Sequence, residues 1–411
     1  MGSIPRASEQ AGELMMGFAE RTGLTSNLPK RRYLWTDAFA VCNFIGLARA
    51  TGEDRYTSLA LRLVDQVHHE LGSYRSDDSR TGWISGMSER EGEFHPTRGG
   101  LRIGKELRER GVSESFDENL EWHRDGQYFH YLTKWMHALD QLARWTGRVQ
   151  FNEWARELAS VAHDAFVHAT RDGRRMVWKM SSDLSRPLVA SMGQHDPIDG
   201  FITCIQLQMT KSELQPAATE PRLQTAASDF LRMTVGQDWA TSDPLGLGGL
   251  LTDASRVAQL IHRGAVELGD LLESLLAATL RGLARYSRRD DLIRSASERL
   301  AFRELGLAIG ISAIELIDEN FMTESHPVSN SAEVRHQIEA LRSYAPLAAA
   351  IESFWLDPDH RDTNNWSEHR DIDDVMLATS LVPAGFLLIG AVTPRATGAP
   401  TGASARAKDV N

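Results

Sequence analysis

Leu47-Ala48-Arg49-Ala50-Thr51-Gly52 leads to Tyr56 and Ala60, and the pattern returns as Leu142-Ala143-Arg144-Trp145-Thr146-Gly147 with Phe151 and Ala155. In each copy an apolar helix stops at Thr-Gly, where glycine supplies the left-handed conformation that ends helices, and an aromatic residue opens the next helix. One such hairpin cannot bury its own apolar face. Its recurrence therefore predicts hairpins stacked side by side, each covering its neighbour.

Outward from these hairpins, helical periodicity dominates and strand signals are scarce. Helices are expected over 7–22, 33–51, 55–71, 120–146, 149–169, 197–211, 221–235, 244–263, 268–287, 299–318, 332–354 and 372–390. Those starting near 33, 120, 197, 244, 299 and 372 are apolar around most of their circumference, and the others carry a one-sided stripe. Six buried helices ringed by six amphipathic ones give an all-α fold, an (α/α)6 toroid of six helical hairpins, with residues 1–392 as one domain. Two long excursions, 72–119 and 171–194, interrupt the ring, and the second holds the best strand candidate, 176–180. Residues 393–411, rich in Ala, Gly, Thr, Pro and Ser, read as a disordered tail.

A 42% hydrophobic and 25% charged composition is that of a soluble globular protein. The net charge of −11 argues against nucleic acid or an anionic membrane as the partner. No apolar run approaches a membrane span and the first residues lack an apolar signal core, so a cytoplasmic location is expected. Cys42 and Cys204 sit in apolar helices and read as buried thiols. No cofactor and no metal are expected. Gly99 to Lys105 fits a phosphate-loop spacing, but Glu106 stands where Ser or Thr would hold magnesium and no strand precedes it. His-Arg-Asp at 123–125, 360–362 and 369–371 lacks the rest of a kinase catalytic loop. His68-His69 is placed on the solvent side of an outer helix, and His130 and His137 read as core histidines.

The Ala-Arg-x-Thr-Gly hairpin and the twelve-helix count resemble the six-hairpin glycosidase-like superfamily over roughly residues 7–392. That group includes toroidal glycoside hydrolases and the N-acylglucosamine/cellobiose 2-epimerases. The resemblance implies a carbohydrate-active enzyme with a small-molecule saccharide substrate, bound in a cleft where the inner helices begin.

Each inner-helix start carries an acid: Thr36-Asp37, Arg124-Asp125, His195-Asp196, Ser242-Asp243, Arg303-Glu304 and Arg370-Asp371. Capping and the helix dipole explain most of this column, Asp196-Pro197 and Asp243-Pro244 being the clearest caps. The surplus over capping is the functional signal. It consists of Trp35, Trp122, Trp239 and Trp366, of His123, His195 and His369, and of Arg124, Arg303 and Arg370. Tyr128 belongs with them, as do Asp199, Asp373 and Asp374 one turn further in. The richest start is Leu120-Glu121-Trp122-His123-Arg124-Asp125-Gly126-Gln127-Tyr128-Phe129-His130. Flat aromatic faces suit the C–H surfaces of sugars, while arginine and aspartate suit hydroxyls and carboxylates. Arg174, Arg175, Trp178 and Lys179 in the second excursion point to an anionic substrate group.

Three functions fit. An inverting glycoside hydrolase needs a carboxylic acid and a carboxylate base, for which Asp125 and Asp199 form the first pair, Asp37 and Glu304 the reserves, and Asp373 or Asp374 a further choice. Trp35, Trp122, Arg124, Tyr128, Trp239, Arg303, Trp366, Arg370 and Asp374 would bind the saccharide. A sugar 2-epimerase would instead use histidines as acid and base, His123, His195 and His369 being the candidates. The resemblance implies such histidines on the fourth and sixth inner helices, and here the sixth has His369 while the fourth start, 239–249, has none. A toroid acting on a non-sugar such as a terpenoid alcohol, or a binding scaffold, is the third. Oligomeric state is not legible.

Overall fold

The computed structural model describes residues 6–171, 173–215, 221–321 and 332–392. In chain order the helices are α1 (Arg6–Arg21), α2 (Leu34–Thr51), α3 (Asp54–Leu71), α4 (Glu89–Phe94), α5 (Glu118–His123), α6 (Phe129–Thr146), α7 (Val149–Phe166), α8 (Asp196–Leu214) and α9 (Pro221–Thr234). They continue as α10 (Pro244–His262), α11 (Gly269–Tyr286), α12 (Ala301–Phe321), α13 (Ala332–Arg342), α14 (Ala345–Leu356), α15 (Pro358–Arg361), α16 (Asn364–Glu368), α17 (Arg370–Leu381) and α18 (Ala384–Leu387).

The recurring Thr-Gly stops behave as read. Gly52 and Gly147 adopt φ of 72° and 70°, and their N–H groups close back on Ala48 and Ala143. Each stop turns an inner helix into its outer partner, α2 into α3 and α6 into α7. The inner helices α2, α6, α8, α10, α12 and α17 pack each on the next, and α17 returns to α2. The fold is therefore the (α/α)6 toroid. Its sixth hairpin is closed across the chain, because α17 takes α1, the first helix of the sequence, as its outer neighbour. Along α2 every residue from Leu34 to Ala48 is buried, as the all-round apolar pattern requires. Helices α10 and α12 approach so closely that a Cβ on Gly248 would stand 2.0 Å from the Gly306 carbonyl oxygen.

Several expected boundaries move, each for a local reason. The helix expected over 120–146 is two, α5 and α6, split at Arg124 to Tyr128, where Gly126 takes φ 139°. The opening cluster around Trp122 thus precedes the inner helix rather than forming its first turn. Gln127–Tyr128 (β1) instead pairs antiparallel with Lys179–Met180 (β4), which pairs with Pro187–Val189 (β5). Helix α7 ends at Phe166 and passes into a hairpin of Val167–Thr170 (β2) with Gly173–Met176 (β3), so the strand expected over 176–180 is divided. The segment 332–354 breaks at Ser343-Tyr344, with Pro346 in the first turn of α14.

The last inner helix stops at Leu381 rather than 390, ahead of Pro383. Beyond it, α18 and Leu388 to Gly390 plug the end of the ring opposite the helix starts. Gln141 donates to the carbonyls of Gly385 (2.9 Å) and Leu388 (3.0 Å), Gln259 to Leu387 (2.9 Å), and the His137 ring nitrogen Nε2 bonds the Phe386 carbonyl (2.8 Å). Gly385 lies against α2, where a Cβ would meet the Cys42 carbonyl at 2.1 Å. Cys42 and Cys204 are free and buried. The tail expected over 393–411 lies outside the described residues. Among the described residues no helix is long and apolar enough to cross a membrane.

Candidate active site

The first excursion folds over the inner-helix starts, and Asp125 holds it there. Asp125 Oδ1 accepts from the backbone N–H of Gly104 (3.0 Å), Gly126 (3.0 Å) and Lys105 (3.4 Å), and its Oδ2 from Arg102 (2.5 Å). It is fully buried, and three of its four donors come from this loop. Three other members of the acid column are likewise committed. Asp37 accepts from the Tyr33 N–H (2.9 Å) beside Arg32 (3.3 Å), and burial pushes its carboxyl up to about 6. Glu304 is held by Arg299 at 2.6–3.2 Å and by the Trp355 indole at 2.9 Å. Asp243 caps α10 through the Gly246 N–H at 2.9 Å and pairs with Arg303.

Asp196, expected as a cap, is not one. It is the first residue of α8, one past the capping position held by His195, and its buried Oδ2 has no hydrogen bond. Desolvation, reinforced by nearby Asp199, raises its carboxyl to about 7.

Asp199, one turn further along α8, faces the ring interior. The Lys134 ammonium of α6 (2.8 Å) and the Arg256 guanidinium of α10 (3.0 Å) both bond it, and the Thr133 hydroxyl donates to it. These cations overcome its burial and hold Asp199 far below the ordinary carboxylate range. Arg256 Nη1 also stands 3.6 Å from Asp253 Oδ1, an ion-pair contact too long for a hydrogen bond, and that buried oxygen accepts none. Burial first, then the charge of Asp199, raises Asp253 to about 7. Three carboxyls from two neighbouring helices thus meet two cations, one acid kept ionised and two poised to carry a proton near neutrality. Environments that push neighbouring acids apart in this way mark acid–base sites.

An aromatic wall stands beside them at the start of α6. His130, Tyr128 and Trp178 form a triangle of rings, with centroids 5.4 Å (His130–Tyr128), 5.9 Å (His130–Trp178) and 5.0 Å (Tyr128–Trp178) apart, and Trp178 meets Trp122 edge-on at 4.9 Å. The hydroxyls of Tyr33 and Tyr131 meet at 2.6 Å. The Lys105 ammonium hangs over Trp122 and Tyr128, and desolvation with the nearby Lys179 charge lowers it to about 8. Burial takes His130 down to about 3, so its ring is neutral, and its buried Nδ1 has no partner. Among the described residues no group of acids, histidines or cysteines could hold a metal ion.

The sequence-derived candidates therefore disperse. Asp199, Trp122 and Tyr128 lie in this cluster, and Arg124 flanks it, paired with Glu114. His195 caps α8 without a side-chain bond; its Nε2 is 3.3 Å from the Trp239 carbonyl, and burial lowers its pKa. Trp35 and Trp239 are buried packing residues, Trp35 against Phe39. His123 is exposed at the end of α5, and His369 packs on Phe302 over α17. Trp366, Arg370 and Asp374 line a different cavity, between α1 and the segment leading to α17. His68 is buried rather than solvent-facing: it accepts from the Trp135 indole at 3.2 Å.

Lys134, Asp253 and Arg256 carry the site yet fall outside the acid column. Their signal was a charge inside an otherwise apolar helix. Leu250-Leu251-Thr252-Asp253-Ala254-Ser255-Arg256 buries an acid and a base that need partners within the ring.

No protein-family model matches the chain, and no curated protein matches it. Among solved structures, a GH76 α-mannanase of Bacteroides thetaiotaomicron superposes with a TM-score of 0.53 at 8% identity, over 92% of this chain and 96% of that one. An α-1,6-mannanase from Salegentibacter gives 0.49 at 11% identity over 92% and 99%. The cellobiose 2-epimerase of Spirochaeta thermophila gives 0.44 at 11% over 86% of each. The first of these shares the toroid fold of this chain.

Proposed function

We propose that this chain is a carbohydrate-active enzyme that cleaves a glycosidic bond at the ring mouth, with Asp196, Asp199 and Asp253 as its acids. The observation that carries this reading is Asp199 pinned between Lys134 and Arg256, beside two carboxyls that each keep an oxygen without a hydrogen bond. Asp196 and Asp253 both titrate near 7. The one that keeps its proton donates it to the leaving glycosidic oxygen, and the one that has lost it takes a proton from the attacking water. Asp199 is too weak a base for that step. It stays negative throughout and opposes the positive charge that develops on the sugar ring. Trp122, Trp178 and Tyr128 offer flat faces to the sugar. On this reading Asp125 sets the lid loop rather than reacting. The toroid shared with an α-mannanase supports the substrate class.

The test is a panel of aryl glycosides and oligosaccharides assayed with Asp196→Asn, Asp199→Asn and Asp253→Asn. Each variant should lose roughly 100-fold or more of the activity while keeping its helical signal. Full activity in the Asp196 and Asp253 variants would sink the assignment, as would no cleavage of any panel member by the unaltered chain.

A second reading, a sugar epimerase, draws on His130, a neutral ring with an unpartnered nitrogen facing the charges of Lys134 and Asp199. Uptake of deuterium from heavy water at a sugar carbon, without bond cleavage, would favour it.

A further inference from the structure

A cavity of about 490 Å³ opens between α1 and the α15–α17 segment, and none of its lining residues belongs to the mouth cluster. Gln10, Glu13 and Arg21 reach it from α1, Arg361 from the end of α15, and Trp366 and Arg370 from α16 and α17. Its three guanidiniums are not equally satisfied. Arg21 is spent on two carboxylates, Asp371 at 3.0 Å and Asp374 at 2.5 Å. Arg370 reaches Asp374 only at 3.8 Å, beyond hydrogen-bond range. Arg361 gives one Nη2 contact to the Leu356 carbonyl at 3.3 Å and lies over the Trp366 ring at 5.9 Å. The terminal nitrogens of Arg361 and Arg370, on the cavity wall and with only these long contacts, are the donors that can meet an anion through the planar fork.

The structure assigns to this cavity a second ligand site, for a sugar-sized, hydroxylated molecule bearing one anionic group held between Arg361 and Arg370. The volume lies in the range of small-molecule sites. Glu13, Asp362 and Ser367 on the same walls supply acceptors for hydroxyl groups, which a bare apolar ligand would leave unmet. The anionic group can be the carboxylate of a uronic acid or the phosphate of a sugar phosphate, since both match the arginine fork. This assignment is independent of the reaction proposed for the mouth.

Calorimetric titration of the full chain with D-glucuronate, D-glucose 6-phosphate and D-glucose tests it. At least one anionic sugar should bind saturably, and glucose about tenfold or more weaker. Arg361→Gln and Arg370→Gln should each weaken that binding by about tenfold, while Asp253→Asn leaves it unchanged. Which anionic sugar binds decides between carboxylate and phosphate. The site is refuted if neither anion binds, if glucose binds equally well, if binding survives both arginine substitutions, or if Asp253→Asn abolishes it and so places the ligand in the mouth.

Discussion

Arg256 on α10 donates from Nη1 to Asp199 on α8 across 3.0 Å, with both side chains almost wholly buried. The same guanidinium bonds Gln206 and Thr203 of α8, so its donors are spread over three acceptors on one neighbouring helix. Replacing Arg256 by Met would leave Asp199 with Lys134 as its sole cation and remove one donor from Gln206 Oε1. A loss of about 3 kcal/mol is expected in urea unfolding, typical for breaking one side of a buried ion pair. Adding Asp199→Asn to that variant should restore part of the loss, because the uncompensated charge disappears. An Arg256→Met protein as stable as the unaltered chain would show that the pair contributes nothing.

Stability should also depend on pH in a direction set by Asp253. Its carboxyl titrates at about 7 in the folded chain against an ordinary 3.8, so folding favours its protonated form. Between about pH 4 and 7 the unfolded chain releases that proton while the folded chain keeps it. The contribution is therefore complete below pH 4 and is lost as pH rises through 7. Asp199, held low, works the other way: its contribution is complete above its ordinary value and is lost only as pH falls below it. Asp253→Asn should flatten the stability curve between pH 4 and 7 by an amount on the order of 4 kcal/mol at most. Unfolding midpoints of the two proteins that stay parallel over that range would contradict this account.

What was legible in the sequence follows from how local the physics is. Gly52 and Gly147 announce themselves because a left-handed stop is decided by one residue, and the hairpins they create imply the ring. Asp125 looked like a helix-start acid because its partners, Arg102 and Gly104, lie more than twenty residues earlier in the chain and reach it only through the folded loop. Asp196 followed by Pro197 has the spelling of a cap, but the helix begins at Asp196 itself and the capping position falls to His195. Asp253 and Lys134 were hidden for the opposite reason. Each sits within a helix whose apolar pattern reads as core, and only ring closure shows that their shared neighbour is Asp199.

Asp125 gives a prediction that separates structure from chemistry. Asp125→Asn keeps an oxygen for the N–H groups of Gly104 and Gly126 but removes the charge that Arg102 requires. A stability loss of about 2–3 kcal/mol is expected, with faster proteolysis inside residues 99–110 as the loop loosens. Any fall in activity should track the fraction of closed loop, appear as a raised Km and be relieved by saturating substrate, with kcat little changed. A kcat reduced by several orders of magnitude with unchanged proteolysis would make Asp125 a reacting group instead.

The plug at the far end of the ring offers the last test. Gln259 uses both ends of its amide on it, donating Nε2 to the Leu387 carbonyl at 2.9 Å and accepting the Ile389 N–H at 2.8 Å through Oε1. No other residue type of that size supplies a donor and an acceptor side by side. In Gln259→Leu the two backbone groups would be left unpaired where water has little access, at a cost of about 1–3 kcal/mol for each. Gln259→Glu is the sharper probe, since its carboxylate still accepts from Ile389 but repels the Leu387 carbonyl. Hydrogen exchange should therefore quicken at Ile389 in the Leu variant and change less there in the Glu variant, with both proteins less stable than the unaltered chain. Because the plug lies opposite the mouth, the Km for substrate should not move in either. A Km that rises together with exchange at Ile389 would mean that the two ends of the ring are coupled through the column of buried polar side chains from Asp199 through Arg256 and Gln206 to His137.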